Sequence, residues 1–153
     1  MADEVIVIVS KPSAKSERPT NIGTTISYDQ VEAIFNIYKK AYGLKNVKIV
    51  EAPVNSPIKA SYDYAETLKN VDVIFGSSDD PEDLARWKTV EKYMKDHNPS
   101  INVIDPKTTT VKRLTSATKI RNQIDNLDAY KEFLPKKLND KEIKQVYDIL
   151  NKR

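Results

Sequence analysis

The sequence predicts an α/β fold: a Rossmann-like open parallel sheet of about four strands flanked by helices, with further helices at the C-terminus. Three observations predict it. Short β-branched apolar runs alternate with stretches of helical periodicity, the pattern of a parallel sheet with crossover helices. Helix-start signals fall at the positions that this alternation requires. The length of 153 residues, with 39% hydrophobic residues, suits one globular core, so residues 1–153 read as a single domain.

Each element follows from local chemistry. Glu4 to Val9 (EVIVIV) is a continuous apolar run that suggests a strand buried on both faces. The polar, Pro-containing stretch over 10–26 is the longest loop and long enough to suggest a binding role. Ser27 to Gln30 (SYDQ) is a capping box, with the Ser27 hydroxyl and the Gln30 side chain each able to satisfy the other's backbone N–H. Val31, Ile34, Phe35, Tyr38, Ala41 and Tyr42 then repeat at helical spacing, and Gly43 is a stop. Val47 to Val50 is a second strand. Ser56 and Pro57 open a second helix bearing Ile58, Ala65 and Leu68. Val71 to Phe75 is a third strand closed by Gly76. Asp80 and Pro81 start a helix with Leu84, Trp87, Val90 and Met94 on one face, ending at Asn98-Pro99. Ile101 to Ile104 is a fourth strand. Thr115 and Ser116 can cap a further helix, and Pro135 divides it from a last one carrying Ile143, Val146, Tyr147 and Leu150.

Composition removes several functions. With no Cys there is no disulfide framework, thiolate metal site or cysteine nucleophile. The lone His97 cannot supply a multi-His metal site or a pair of catalytic imidazoles, and it reads as an exposed residue at a helix end. No apolar run approaches the ~20 residues needed to span a bilayer, and no signal-peptide layout is present, so a soluble, cytoplasmic protein without a membrane partner is expected. The formal charge of +3 is too mild to imply nucleic-acid binding. It is unevenly spread: +1 over residues 1–52, −4 over 53–106 and +6 over 107–153. The C-terminal lysines Lys136, Lys137, Lys141 and Lys144 are interleaved with Asp140, Glu142 and Asp148, and aromatic residues are sparse among them. Nucleic acid is therefore not the expected partner.

Ligands of open parallel sheets bind beyond the carboxyl ends of the strands. That rule selects Ser10 to Arg18, Ala52 to Ser56, Gly76 to Asp80, and the turn leading to Thr115. The last is the most informative. In Thr115 to Arg121 (TSATKIR), small hydroxyl residues precede two bases at a helix start. Ser116 and Thr118 can donate to phosphate oxygens and Arg121 can fork onto them. Plain helix capping by Ser116 explains the same spacing, and the two readings stay side by side at this level.

Taken whole, that segment resembles the I-S-S-T-x-I-R signature of the HIGH-motif nucleotidyltransferase superfamily. Ser116, Thr118 and Arg121 match it, while Thr115 stands where Ile is usual and Ala117 where Ser or Gly is usual. VIVIVSKPSAKSERP is similar to the family's strand and Ser/Pro/Lys loop, where Lys11, Lys15 or Arg18 could meet phosphates, with Lys15 the first choice. VDVIFGSSDDPEDLARW is similar to its apolar-strand-G-x-D…L…W segment, and FLP at Phe133 to Pro135 before an amphipathic helix also recurs.

The resemblance implies nucleotidyl transfer: an acceptor phosphate attacks the α-phosphorus of ATP or CTP, with Mg²⁺, and pyrophosphate leaves. It implies that Ser116, Thr118, Lys119 and Arg121 hold the β- and γ-phosphates. It further implies that Lys15, or Lys11, neutralises charge at the reacting phosphate, and that Gly76, Ser77 and Asp79 line the nucleotide or acceptor side. The family's G-x-F-x-P-x-H-x-G-H loop has no counterpart here. By alignment the chain starts at the family's second strand and is N-terminally incomplete relative to it. The remaining strands are then expected in the order 2-1-3-4, or joined by a strand from a second copy, so a homodimer is the expected assembly. Without the histidine pair, a loss of ~10²–10³ per missing donor makes this chain alone very slow. The competing expectation is a non-catalytic, flavodoxin-like α/β module acting through protein contacts.

Overall fold

The computed structural model describes residues 2–10, 18–105 and 110–153. They form a mixed α/β structure with parallel strand pairs. Element order is β1 (Val5–Val9), α1 (Tyr28–Tyr42), β2 (Val47–Glu51), α2 (Pro57–Glu66), β3 (Asp72–Ile74), α3 (Pro81–Arg86), α4 (Val90–His97), β4 (Asn102–Ile104), α5 (Ala117–Arg121), α6 (Leu127–Tyr130), a 3₁₀ turn (Lys131–Phe133) and α7 (Asp140–Leu150). The chain divides into two compact units, Met1–Pro57 with Thr115–Arg153, and Ile58–Leu114.

The first unit is built on the β1–β2 pair, parallel and in register from Val5 opposite Val47 to Val9 opposite Glu51. The capping box forms as expected: the Gln30 N–H donates to Ser27 Oγ (3.2 Å) and the Ser27 N–H to Gln30 Oε1 (2.9 Å). The same Gln30 amide donates through Nε2 to the Ile149 carbonyl (2.7 Å), tying the start of α1 to the end of α7. Gly43 closes α1 at φ 64°, the left-handed conformation that an L side chain resists. A second capping box, Asn139 with Glu142, opens α7. The apolar faces of these helices meet in one core of Ile26, Ile34, Ile124, Tyr130, Leu134, Leu138, Val146 and Leu150, with Val31, Tyr38 and Ala41 packed against it. Burial pushes the phenols of Tyr38 and Tyr130 up to about 12, because the charged phenolate would be stranded in an apolar core.

The second unit is built on the parallel β3–β4 pair, with Asp72 opposite Asn102 and Ile74 opposite Ile104. Its core is Ala65, Phe75, Val90, Met94 and Ile101, enclosed by Tyr62, Trp87 and Tyr93. Ring centroids lie 5.9 Å apart for Tyr62–Phe75 and 5.0 Å for Phe75–Trp87. Buried Asn98 holds the end of α2 by donating from Nδ2 to the carbonyls of Ala65 (3.0 Å) and Leu68 (2.8 Å).

The described strands pair as β1–β2 and β3–β4. Two expectations change. Strand β1 is not buried on both faces: Val5 is 37% exposed and only Val9 is buried. Among the described residues of its own unit, β2 is the strand that pairs with β1. The helix expected from Pro81 through Met94 is two helices. Trp87 ends α3 at φ −101°, ψ 0°, and Thr89 precedes α4, so Trp87 turns onto Phe75 and Tyr62 while Val90 and Met94 keep their own helical face.

Candidate functional site

Within the first unit, the family-like segment begins as its spacing predicts. Ser116 is the N-cap of α5, accepting the Lys119 N–H on Oγ (3.2 Å). One turn on, Arg121 donates from Nη2 to Thr118 Oγ1 (3.0 Å). Thr118 and Lys119 are exposed, and Ser116 and Arg121 are half-buried. The four side chains therefore stand together on one short turn, two hydroxyls and two cations.

A residue from the 10–26 loop joins them. Arg18 starts a tight turn in which the Thr20 N–H bonds the Thr24 carbonyl (2.8 Å) and Gly23 takes φ 76°. That turn docks on the end of α5. The Asn21 N–H donates to the Arg121 carbonyl (3.0 Å), and Asn21 Oδ1 accepts the Ile124 N–H (2.9 Å). Docking brings Arg18 near Arg121. Arg18 Nη2 donates to the Ser10 carbonyl (2.7 Å), while its buried Nε finds no hydrogen-bond partner among the described residues. Burial, and after it the charge of Arg121, holds the Arg18 guanidinium below its usual range. Two like charges and an unsatisfied buried donor cost free energy that an oxyanion would recover.

Lys15 and Lys11, the first choices for charge neutralisation, lie outside the described residues, as does Lys107. Arg18 stands third among those loop bases by sequence, and the structure is what brings it to Arg121. The signal that could have singled it out is the Asn21 contact, which spans 103 residues of chain and leaves no local trace.

The second unit places Gly76, Ser77 and Asp79 on the turn between β3 and α3. Gly76 and Ser77 line a cavity of about 230 Å³ with Ile58, Asp83, Arg86 and Trp87. A Cβ on Gly76 would meet nothing within 4 Å among the described residues, so no packing among them requires glycine there. Asp79 is engaged: its Oδ1 accepts the Arg113 N–H (2.8 Å). Asp80 caps α3 by accepting the Glu82 N–H on Oδ1 (2.9 Å), and its Oδ2 pairs with Arg113 Nη1 (2.8 Å). The Glu82 backbone bond first, then Arg113, holds the Asp80 carboxyl below the usual carboxylate range, against a smaller opposing effect of desolvation. His97 is exposed as expected, its ring stacked on Tyr93 at 3.8 Å.

Among the described residues no group of three or more His, Cys, Asp and Glu side chains could hold a metal ion. The carboxylates nearest the turn are turned elsewhere: Asp79 and Asp80 to Arg113, and Asp83 to Ser78 and Arg86. No helix among the described residues is long and apolar enough to cross a membrane. The chain matches no family model, no curated protein and no solved structure.

Proposed function

We propose that this chain is a nucleotidyltransferase-like protein that binds ATP or CTP. The reaction proposed for it is transfer of AMP or CMP to a phosphorylated small molecule, with release of pyrophosphate. Ser116, Thr118, Lys119 and Arg121 hold the β- and γ-phosphates, and Arg18 adds a second guanidinium beside them. Gly76, Ser77 and Asp79 meet the nucleotide. Lys15 or Lys11 neutralises the reacting phosphate. The two strand pairs belong, in this reading, to one four-stranded Rossmann-like sheet. The observation that carries the reading is the Arg18–Arg121 pair, with the buried Arg18 Nε left unpartnered beside a hydroxyl-bearing turn. A polyphosphate supplies what that arrangement lacks: several anionic oxygens at guanidinium spacing.

Chemistry of this kind needs positioning and charge neutralisation and no covalent intermediate. An acceptor phosphate oxygen forms the new bond to the α-phosphorus as the bond to the bridging oxygen of pyrophosphate breaks. The described residues offer no cage for Mg²⁺, which enters with the nucleotide as part of the substrate and takes no step assigned to this chain. Isothermal titration calorimetry with ATP and CTP plus Mg²⁺ tests the reading. Binding is expected, weakened ~10–100-fold in Arg121→Ala, a magnitude usual for a charge-assisted contact. No heat at millimolar nucleotide would sink it.

The non-catalytic module remains the second reading, and one bond favours it. Ser116 Oγ already serves as a helix cap, so its hydroxyl has a structural use without any ligand. A chain that ignores nucleotide and self-associates in light scattering would decide for it.

A further inference from the structure

The turn from Gly76 to Asp80 is not held by its own strand and helix alone. Residues Val111 to Arg113 run beside it: the Asp79 N–H donates to the Val111 carbonyl (2.9 Å), the Val111 N–H donates to the Ser77 carbonyl (3.2 Å), and Ser78 bridges Val111 in parallel sense. Arg113 then fastens the turn through backbone and side chain. Its backbone N–H donates to Asp79 Oδ1 (2.8 Å), its Nη1 donates to Asp80 Oδ2 (2.8 Å), and the same Nη1 lies 4.0 Å from Asp83 Oδ2. Asp83 bonds Ser78 and pairs with Arg86 (3.1 Å), and Asp83 and Arg86 both line the cavity behind Gly76 and Ser77. The Arg113 backbone therefore holds Asp79, while its guanidinium holds Asp80 and reaches toward the acid of the cavity wall.

We propose that Arg113 is a positioning residue for nucleotide binding: its guanidinium, through Asp80, fixes the Gly76–Asp80 turn in the form that meets the nucleoside end of ATP or CTP. This rests on the nucleotide reading above. Arg113 acts on the protein's carboxylates and not on the ligand. Loss of the guanidinium loosens the turn by freeing Asp80, while the backbone bond to Asp79 and the contacts of Thr115 to Arg121 remain.

Two substitutions separate this role from others. Arg113→Gln removes the charge. Asp80→Asn removes the partner charge and keeps an oxygen for the Glu82 N–H, since Asn caps helices as well as Asp. Each is titrated by calorimetry with MgATP and, separately, with Mg-tripolyphosphate, which has the phosphate tail and no nucleoside. The expected result is MgATP affinity lowered 3–10-fold in each single variant and no further in the double variant, because both break one element. Tripolyphosphate affinity is expected to stay within twofold, with Trp87 emission confirming a folded second unit. Unchanged MgATP affinity in both variants would overturn the inference and leave the nucleotide reading intact. So would an Asp80→Asn variant that binds as well as or better than the parent, which would mean that Arg113 reaches the ligand directly. Parallel loss of both ligands would overturn it too, as general destabilisation. A parent protein that takes up neither ligand would overturn the nucleotide reading itself.

Discussion

In the first unit, Arg18 and Arg121 lie near enough that one charge depresses the other's proton affinity, and no carboxylate among the described residues offsets them in that balance. In the second unit, the guanidinium groups of the two arginines beside the Gly76–Asp80 turn both meet acids: Arg113 on Asp80, Arg86 on Asp83. The contrast separates two uses of the same side chain. A guanidinium paired inside the protein spends its donors on shape. One whose buried donor is unpaired among the described residues, next to a like charge, has a donor to give to a ligand. The cores differ in the same sense. The first unit relies on aliphatic side chains around Tyr130, and the second on an aromatic wall of Tyr62, Phe75 and Trp87 around Met94.

The largest expected effects probe whether both cores carry their units. Ile124 and Met94 are 0% and 1% exposed, one in each core. Ile124→Ala and Met94→Ala should each cost ~2–5 kcal/mol, the range for truncating a fully buried aliphatic side chain. Urea unfolding followed by far-UV circular dichroism and by the emission of Trp87, the chain's single tryptophan, reads both. A cost below ~1 kcal/mol for Met94→Ala would show that the aromatic wall, and not Met94, supports the second unit.

A pH scan breaks the comparison from another side. Tyr38 and Tyr130 have folded values near 12, above the ordinary ~10 of an unfolded phenol. Below pH ~10 both states carry the neutral phenol and the first unit keeps its full stability. As pH rises from ~10 toward 12 the unfolded chain loses these protons first, so stability falls across that window. Absorbance at 295 nm should rise together with loss of helix signal, in place of a simple titration at pH 10. Free titration of all eight tyrosines near pH 10 with the fold intact would contradict the burial of these two.

Much of this architecture was legible in the chain, and the illegible part has one cause. Ser27 with Gln30, Gly43, Asp80 with Pro81, and Ser116 act within three or four residues of themselves, so local chemistry announces them and they form as read. The break at Trp87 was not legible, because Leu84, Trp87, Val90 and Met94 keep helical spacing through it. What splits the helix is the distant demand of Phe75 and Tyr62 for the indole. Arg18 and Arg113 were hidden in the same way. Arg18 sits beside Arg121 through a docked turn, and Arg113 reaches carboxylates more than 30 residues earlier. Residues 11–17, with Lys11 and Lys15, fall outside the described structure, so the site's first-choice bases rest on resemblance alone.

The charge contrast itself predicts a difference in sign. Arg121→Gln removes one of two repelling cations and should raise stability by a few tenths of a kcal/mol, offset in part by the lost Thr118 contact. Arg113→Gln removes a matched cation and should lower stability by up to ~1 kcal/mol, the usual scale for partly exposed pairs. Both shifts should shrink between 20 mM and 500 mM salt, because screening weakens attraction and repulsion alike. Thermal melts at the two salt concentrations measure this, and equal signs for the two variants would erase the distinction drawn between the units.

Gly76→Ala is the smallest expected change in stability and the sharpest test of what the turn is for. Gly76 does not take a positive φ, and a Cβ there would meet nothing within 4 Å among the described residues. Those residues therefore give no reason to exclude a methyl group. Reduced freedom of the unfolded chain should make the variant equal to the parent or a few tenths of a kcal/mol more stable. If a nucleotide packs against the bare backbone beside the cavity, the added methyl must displace it, and MgATP affinity should fall ~10-fold while the melting temperature holds or rises. A Gly76→Ala protein that is stable and binds MgATP unchanged would place the ligand away from this turn. It would then take from Gly76 and Ser77 the role that their position beside the cavity supports.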